Sequence, residues 1–250
     1  MKEYKNYIVA FLDILGFKNL ICESSFDEIM NIFKNIISDK DAGIAFYRAC
    51  ETGDTELEHY NNALKNTKIH IMSDSIVIAS PDEYSESLAV VIDLCSAIQE
   101  QLYALETPVF LRGAITVGEF YMSDNLLFGR AMVDAYIAQE NFAIYPRVIL
   151  SQKVCEGRTV SVDSDRTMPK DDDEYFYVDS LHRYLQVYEK EYEEYIKSEE
   201  YFHLVSNIEK QLNGYSERRV RDKYVWLKNA IDSAIDYDNK MTKAYVKQLF

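Results

Sequence analysis

The sequence contains little thiol chemistry. Its four cysteines, Cys22, Cys50, Cys95 and Cys155, are widely separated in a chain of 250 residues and form no Cys-x-x-Cys pair. Their spacing therefore indicates neither a zinc site nor a redox dithiol. We interpret them as core thiols of a reducing compartment and expect a cytoplasmic protein.

Long hydrophobic runs are absent as well. No stretch approaches the roughly 20 apolar residues that a membrane span requires, so no membrane partner is expected. Residues 1–17 include an apolar run, but an aspartate interrupts it and no small-residue cleavage site follows. This segment is predicted to be a strand, not a signal peptide. The sequence also lacks His-Glu-x-x-His, Gly-x-Ser-x-Gly and P-loop motifs.

Positive charge is scarce. The sequence has 27 Lys and Arg residues against 42 Asp and Glu residues, which gives a formal net charge of −15. This balance argues against a nucleic-acid partner, because non-specific affinity for phosphate backbones comes from Lys and Arg. It does not exclude a phosphorylated small molecule. Binding one would require imported positive charge, most simply divalent cations held by carboxylates.

What is present is the pattern of an α+β protein. Residues 7–15 form a continuous apolar run that predicts a strand buried on both faces, and Gly16 ends it. Ser25 and Glu28 form a capping box at the start of an amphipathic helix. Further strands are predicted at 67–72, 75–79, 108–119 and 145–151, and further helices at 85–105 and 129–142. This order predicts a mixed sheet flanked by helices.

The composition changes near Tyr184, after which Glu, Lys and Tyr recur at helical spacing. Gly214 is the expected break between two helices, at 184–211 and 216–250. We therefore predict a catalytic domain at 1–180 and a C-terminal helical extension at 181–250.

Two aspartates stand where apolar sequence surrounds them. Asp13 lies inside the most apolar strand, where an unpaired carboxylate is costly, so it either caps local backbone or binds a metal. Asp74 lies between the two strands of a predicted hairpin, where Ser73-Asp74-Ser75 is also ordinary turn chemistry. If the two strands are neighbours, both carboxylates converge on an oxygen site suited to Mg²⁺ or Mn²⁺.

Two nearby features have both a structural and a functional interpretation. The turn at Gly16, Phe17 and Lys18 would present N–H groups and an ammonium to a terminal phosphate, although a tight turn alone does not imply this. Arg112 precedes a glycine on an apolar strand. It either forms a salt bridge at the sheet rim or contacts the base or phosphates of a nucleotide.

These segments carry a family resemblance. FLDILGF (11–17) and MSDSIVI (72–78) resemble the two metal-binding segments of class III nucleotidyl cyclases. LRGAITVGEF (111–120) and the segment at 128–151 resemble the following strand, helix and strand of that domain, which has a ferredoxin-like core. The form of these later motifs is most similar to the bacterial pyrimidine cyclases of the Pycsar antiphage systems.

The resemblance implies a role for each matched position. Asp13 and Asp74 would be the catalytic residues and, with the backbone carbonyl of Ile14, would hold two divalent ions, Mn²⁺ or Mg²⁺. Gly16, Phe17 and Lys18 would meet the β and γ phosphates. Two further substrate contacts would be His70, at a strand position that reads the base in purine cyclases, and Arg112.

The chain also departs from the family pattern. Purine cyclases carry an Asn and an Arg on the helix after the fourth strand, and here those positions fall near Val133 or Asp134 and near Ile137 or Ala138. The transition-state arginine is therefore missing from this helix. Arg130 and Arg147 are the candidates to replace it.

By resemblance, the protein converts UTP or CTP to a 3′,5′-cyclic nucleotide and pyrophosphate as a homodimer. The product would activate a separate effector protein during phage infection. One alternative is a purine cyclase. Another, suggested by the missing arginine, is a catalytically silent cyclase-like domain for dimerisation or sensing, although the presence of both aspartates counts against it.

A basic cluster near the C-terminus leaves two interpretations open. Arg218, Arg219, Arg221 and Lys223 lie close together in an otherwise acidic chain. A solvated helix face is the favoured interpretation, and a role in binding a partner or a phosphate is the alternative.

Overall fold

The computed structural model describes most of the chain, including the whole central sheet. The described residues are 4–34, 36–37, 55–105, 107–123, 125–156, 158, 161–163, 166–167, 169–181, 184, 199–214 and 216–249.

A mixed sheet forms the centre of the molecule. Its strand order is β2-β3-β1-β4-β5, with β6 pairing parallel to β4 and the other pairs antiparallel. The strands are β1 Lys5–Ile14, β2 Lys68–Met72, β3 Ser75–Pro81, β4 Leu111–Met122, β5 Leu127–Phe128 and β6 Val148–Leu150. Two short strands, β7 Ser161–Asp163 and β8 Arg166–Thr167, form a separate pair.

Helices cover both faces of the sheet. They are α1 Phe17–Glu23, α2 at 26–34, α3 Thr55–Asn66, α4 Ser87–Tyr103, α5 Arg130–Phe142, α6 Gln152–Cys155, α7 Glu199–Gly214 and α8 Arg218–Leu249. None of these described helices is both long and apolar enough to cross a membrane.

The central strand divides its side chains between two cores, as its apolar sequence predicts. Ile8, Ala10, Leu12 and Ile14 face one way and pack in the cluster that includes α4. Val9 and Phe11 face the other way, with Ala131 and Ala135 of α5. Asp13 has the parity of Val9 and Phe11, so it lies on the α5 face of the sheet.

The C-terminal helices pack on one end of the sheet. Leu204 of α7 and Leu227 of α8 are fully buried in a third cluster with Tyr103 and Phe110. Tyr103 ends α4 and Phe110 directly precedes β4. Helices α7 and α8 therefore bury their apolar faces on the sheet domain itself.

The α+β prediction, a mixed sheet flanked by helices with a C-terminal helical extension, is confirmed. The capping box is present, since the Glu28 N–H donates to Ser25 Oγ at 3.3 Å and the Ser25 N–H donates to Glu28 Oε2 at 2.6 Å. The domain boundaries at 180 and 181 remain a prediction. Much of the helix predicted at 184–211 lies outside the described residues.

Helices α1, α3 and α6 were not predicted from the sequence. Helix α1 follows Gly16 directly, and α3 occupies a stretch that is rich in charge and poorly patterned. Helix α3 is stabilised by tertiary contacts, because Ala63 and Leu64 are buried in the main core. Strand β6 covers only Val148–Leu150 of the predicted segment 145–151, and β4 extends three residues past 119.

Candidate active site

The ends of β1 and of the β2–β3 hairpin bring Asp13 and Asp74 together. Asp13 is the register partner of Ser75, and the Ile14 N–H donates to the Asp74 carbonyl at 2.8 Å. Ser73 has a φ of 58°, which is the positive value that a tight II′ hairpin turn requires at its first residue. The turn therefore sets Asp74 directly beside the end of the central strand.

Asp13 lies in a largely buried position, with its side chain 20% exposed. Burial is the main cause that raises the pKa of Asp13 above its ordinary value, and the nearby Asp74 charge adds to this rise. A hydrogen bond and charge interaction with Arg112 oppose it. The carboxylate is consequently held in a setting where a bound cation would stabilise its charged form.

Arg112 connects Asp13 to helix α5. It stands opposite Asp13 in the β1–β4 ladder, and its Nε donates to Asp13 Oδ2 at 2.8 Å. Its Nη2 donates to Glu140 Oε1 of α5 at 3.0 Å. The salt-bridge interpretation of Arg112 therefore describes this structure, and the same contacts place its guanidinium at the predicted metal site.

The donor set fits a hard divalent cation. Asp13 and Asp74 lie at one edge of the sheet, where the charge of Asp74 acts on Asp13. Ile14, whose carbonyl is the third predicted ligand, follows Asp13 and ends β1, and its N–H bonds the Asp74 carbonyl. Carboxylate and carbonyl oxygens are the ligands that Mg²⁺ and Mn²⁺ prefer. Within the described ranges, no cluster of three or more His, Cys, Asp or Glu side chains forms a complete metal cage. Water or substrate oxygens would complete the coordination.

The predicted phosphate turn lies next to this edge. Gly16 adopts the left-handed conformation, with a φ of 73°, and its carbonyl accepts hydrogen bonds from Asn19 and Leu20. The Phe17 side chain packs against Phe33, with ring centroids 6.4 Å apart, whereas Lys18 is exposed. Phe17 would therefore contact a phosphate only through its N–H, and Lys18 through its ammonium.

His70 lies further away on the same face of the sheet. It pairs with Val77 of β3, which in turn pairs with Phe11 of β1. His70 is thus two strands from β1 and is level with Phe11, not with Asp13. Within one chain the structure does not bring His70 to the Asp13–Asp74 pair.

Neither arginine proposed to replace the missing transition-state residue reaches this pair. Arg130 is highly exposed and approaches Asp134 of its own helix at 3.9 Å. Arg147 is almost fully buried and binds Asp171 at 2.6 Å and also Asp173. The guanidinium at the site belongs to Arg112.

Two charged residues at the site were not among the predicted site residues. Glu140 binds Arg112, and the charges of Asp13, Arg112 and Glu140 all act on Lys223 of α8. Glu140 lies in the segment at 128–151 that resembles a cyclase helix and strand, but the resemblance assigned it no role. Lys223 belongs to the basic cluster for which a solvated face is the favoured interpretation and a partner or phosphate role the alternative. It precedes Leu227 by four residues and so shares the buried side of α8.

The chain is similar to solved cyclase domains. No protein-family model matches the chain, and no curated protein does. The monomeric guanylyl cyclase domain of the RhoGC fusion protein from the aquatic fungus Blastocladiella emersonii superposes with a TM-score of 0.49 at 15% identity, over 71% of this chain and 96% of that one. The guanylate cyclase domain of RhGC from Catenaria anguillulae in complex with GTP gives 0.46 at 14% identity, over 71% and 96%. The adenylyl cyclase CyaB from P. aeruginosa gives 0.42 at 16% identity, over 60% and 78%.

Proposed function

We propose that this protein is a nucleotidyl cyclase that converts UTP or CTP to a 3′,5′-cyclic nucleotide and pyrophosphate. The observation that supports the proposal is the convergence of Asp13 and Asp74 at the end of the central strand. Each aspartate lies in a segment that resembles a metal-binding motif of class III cyclases. The spatial arrangement and the sequence resemblance therefore favour the same chemistry.

The reaction is an intramolecular displacement. The ribose 3′-oxygen bonds to the α-phosphorus, the bond from that phosphorus to the bridging oxygen breaks, and pyrophosphate leaves with the electron pair. The 3′-hydroxyl proton passes to solvent. Divalent ions, when bound, supply a lowered pKa of the 3′-hydroxyl and neutralisation of the departing phosphates.

The residues of the chain would act by positioning and charge. Asp13 and Asp74, with the Ile14 carbonyl, would hold the cations. The hydrogen bond from Arg112 fixes the orientation of the Asp13 carboxylate, and Gly16 to Lys18 would meet the β and γ phosphates. In phosphoryl transfer such electrostatic positioning supplies most of the catalysis, so no covalent intermediate is required.

A homodimer would complete the site. His70 is remote from Asp13 in its own chain, so in the dimer it would reach the base of the nucleotide that the other subunit holds. Helix α5 presents exposed apolar side chains beside Glu140, namely Val133, Tyr136 and Ile137. Such a face at the edge of the site is suited to contact with a second copy.

The pyrimidine substrate and the biological setting are supported by sequence motifs only. The forms RGAITVGE (112–119) and YPRVIL (145–150) resemble those of Pycsar cyclases. We propose on this basis a cytoplasmic enzyme whose product activates a separate effector during phage infection.

The direct test is to incubate the pure protein with each of the four NTPs and Mn²⁺ and to identify cyclic products by mass spectrometry. We expect a cyclic pyrimidine nucleotide. Asp13→Asn and Asp74→Asn should each reduce turnover to background, because an amide has the shape of the carboxylate but not its charge. Asp27→Asn, at an exposed position of α2 outside the segments that resemble cyclases, is the matched control and should retain activity.

The outcomes separate the alternatives. A cyclic purine product would identify a purine cyclase. Absence of any cyclic product would reject the enzyme, and retained activity in either aspartate variant would remove that residue from the metal site. The silent cyclase-like domain has one sequence observation in its favour, since α5 has no Asn near Val133 or Asp134 and no Arg near Ile137 or Ala138. Calorimetry with metal and a non-hydrolysable NTP tests it, because a silent scaffold need not bind nucleotide in a metal-dependent way.

A further inference from the structure

Asp13 lies between the areas of the sheet that two helices cover. Two residues before it, Phe11 contacts Tyr136 of α5, with ring centroids 5.6 Å apart. Two residues after it, Leu15 packs in the hydrophobic cluster of α7 and α8. Alternate residues of an extended chain share a face. The carboxylate is therefore flanked by α5 on one side and by α8 on the other.

The neighbouring strand shows the same arrangement. Arg112 stands opposite Asp13, and Phe110, two residues earlier, contacts Tyr224 of α8 with ring centroids 6.0 Å apart. Lys223 directly precedes Tyr224. It also lies one turn before the fully buried Leu227, so its side chain emerges on the packed side of α8. These contacts bring Lys223 to the Asp13–Arg112 pair.

The surroundings of Lys223 are those of a charged site. The charges that act on it belong to Arg112, Asp13, Glu140 and Glu217. Burial, and next the nearby Arg112, lower the pKa of Lys223 below its ordinary value. Among the residues whose side chains are described, Lys223 forms no ion pair or hydrogen bond. Within that part of the chain it is a half-buried cation without a direct counter-ion.

Other basic residues of α8 differ from Lys223. Arg218 is 94% exposed and approaches Asp222 of its own helix at 3.7 Å. Lys228 is half exposed and pairs with Glu209 of α7 at 3.8 Å. Arg218 fits the solvated face that the sequence predicts for the basic cluster, and Lys228 is likewise solvated. Lys223 does not fit this face, because it points toward a site rich in carboxylates.

We propose that Lys223 is a substrate-binding residue whose ammonium donates hydrogen bonds to phosphate oxygens of the triphosphate held at Asp13 and Asp74. Helix α8 of the C-terminal extension would then form one wall of the active site. This inference deepens the proposed function and rests on it. It adds a phosphate contact that the resemblance to cyclases does not assign; Lys223 directly precedes YVWL (224–227), which resembles a cyclase segment only weakly.

Charge favours a phosphate as the ligand of Lys223. Asp13 Oδ2 already accepts a hydrogen bond from Arg112, and Glu140 accepts another, so the nearest carboxylates have a cationic partner. An ammonium on a flexible stem acts as a point charge that suits phosphate oxygens. A triphosphate with two divalent ions would bring charge of both signs to the site. Lys223 would offset part of the negative charge of the phosphates and carboxylates that the divalent ions do not neutralise.

The test combines binding and kinetics in the full-length protein. The variants are Lys223→Gln, which removes the charge, Lys223→Arg, which keeps it, and Lys228→Gln, which removes a charge from the same helix away from the site. Calorimetry measures the affinity for inorganic tripolyphosphate with Mn²⁺, and turnover of NTPs yields kcat and KM separately. Thermal melting of each variant shows whether the fold is intact.

We expect Lys223→Gln to weaken tripolyphosphate binding and to raise KM by about tenfold or more, the value of one charge-assisted hydrogen bond. Lys223→Arg should restore most of the affinity, and Lys228→Gln should bind like the wild type. Equal tripolyphosphate affinity of the wild type and Lys223→Gln would overturn the inference and leave the cyclase proposal intact. The same holds if Lys223→Arg loses as much affinity as Lys223→Gln. Wild-type protein that binds no tripolyphosphate would overturn it too. Lys223-dependent binding without any cyclic product would support Lys223 as a polyphosphate ligand and reject the cyclase.

Discussion

Arg147 is a charged residue that connects distant parts of the chain. Its side chain is 1% exposed, and it binds Asp171 at 2.6 Å and Asp173. The rings of Tyr145, Tyr177 and Trp226 surround the guanidinium, with centroids 5.7, 5.8 and 5.9 Å from its central carbon. The Trp226 Nε1–H also donates to Asp171 Oδ2 at 2.7 Å. Arg147 thus links the strand region before β6 to helix α8, and its role is structural.

Replacing Arg147 should therefore destabilise the protein. We expect Arg147→Ala to lower the free energy of unfolding by about 3 kcal/mol, because it leaves two carboxylates without their cation and opens a space among three rings. The value is at the lower end for buried pairs, since Asp171 and Asp173 keep some solvent contact. Urea unfolding followed by tryptophan fluorescence measures it.

Arg130→Ala is the matched control for this prediction. Arg130 is 78% exposed and its distance to Asp134 is 3.9 Å, so its loss should change the free energy of unfolding by less than about 0.5 kcal/mol. Equal unfolding midpoints for the two variants would contradict a structural role for Arg147.

At the scale of elements, the approach of β4 to β1 depends on a glycine. A Cβ at Gly113 would lie 2.5 Å from Leu12 Cδ2 and 2.6 Å from the Phe11 carbonyl oxygen. Backbone cannot move aside as a flexible side chain can. Gly113 follows Arg112, so the close packing of these strands also sets the position of the Arg112 guanidinium against Asp13. Gly16 differs, since a Cβ there would meet nothing within 4 Å and only its positive φ is restrictive.

These two glycines give a ranked prediction. Gly113→Ala should destabilise the protein by about 3 kcal/mol through overpacking between strands. Gly16→Ala should cost about 1 kcal/mol, the strain of a left-handed residue with a side chain. Chemical denaturation of both variants measures the order, and greater destabilisation by Gly16→Ala would show that the β1–β4 spacing is not the limiting contact.

At the scale of the whole molecule, helix α5 presents an apolar face to solvent. Its residues Val133, Tyr136 and Ile137 have about half of their surface in solvent, beside the proposed active site. The formal net charge of −15 works against association of two copies by electrostatic repulsion. Dimerisation would therefore depend on apolar contact at such a face.

We predict that Ile137→Asp converts the proposed dimer to a monomer and abolishes cyclase activity, because it adds a buried, unpaired charge to the interface. Size-exclusion chromatography with light scattering, together with the NTP assay, measures both effects. Phe26→Asp is the control. Phe26 is 75% exposed on α2, which packs on the opposite face of the sheet through Ile32. An Ile137→Asp protein that stays dimeric would place the interface elsewhere.

The sequence by itself determined the local elements and singled out Asp13 and Asp74 as the candidate metal-binding residues. The strand at 7–15, the capping box at Ser25 and the hairpin around Asp74 all depend on residues near one another in the chain. Apolar periodicity and turn chemistry encode such elements directly. The cost of a carboxylate in an apolar strand likewise singles out Asp13 from its neighbours in the chain.

Tertiary structure alone decided what surrounds Asp13. Its contact with Arg112 joins residues 99 positions apart, and that pairing follows from the β1–β4 register, which no local pattern specifies. The β2–β3 and β1–β3 pairings set His70 two strands away, and the packing of α8 on Phe110 brought Lys223 to the site. A local pattern shows which side of an element is apolar. Which elements pack against each other depends on burying all of these apolar faces at the same time.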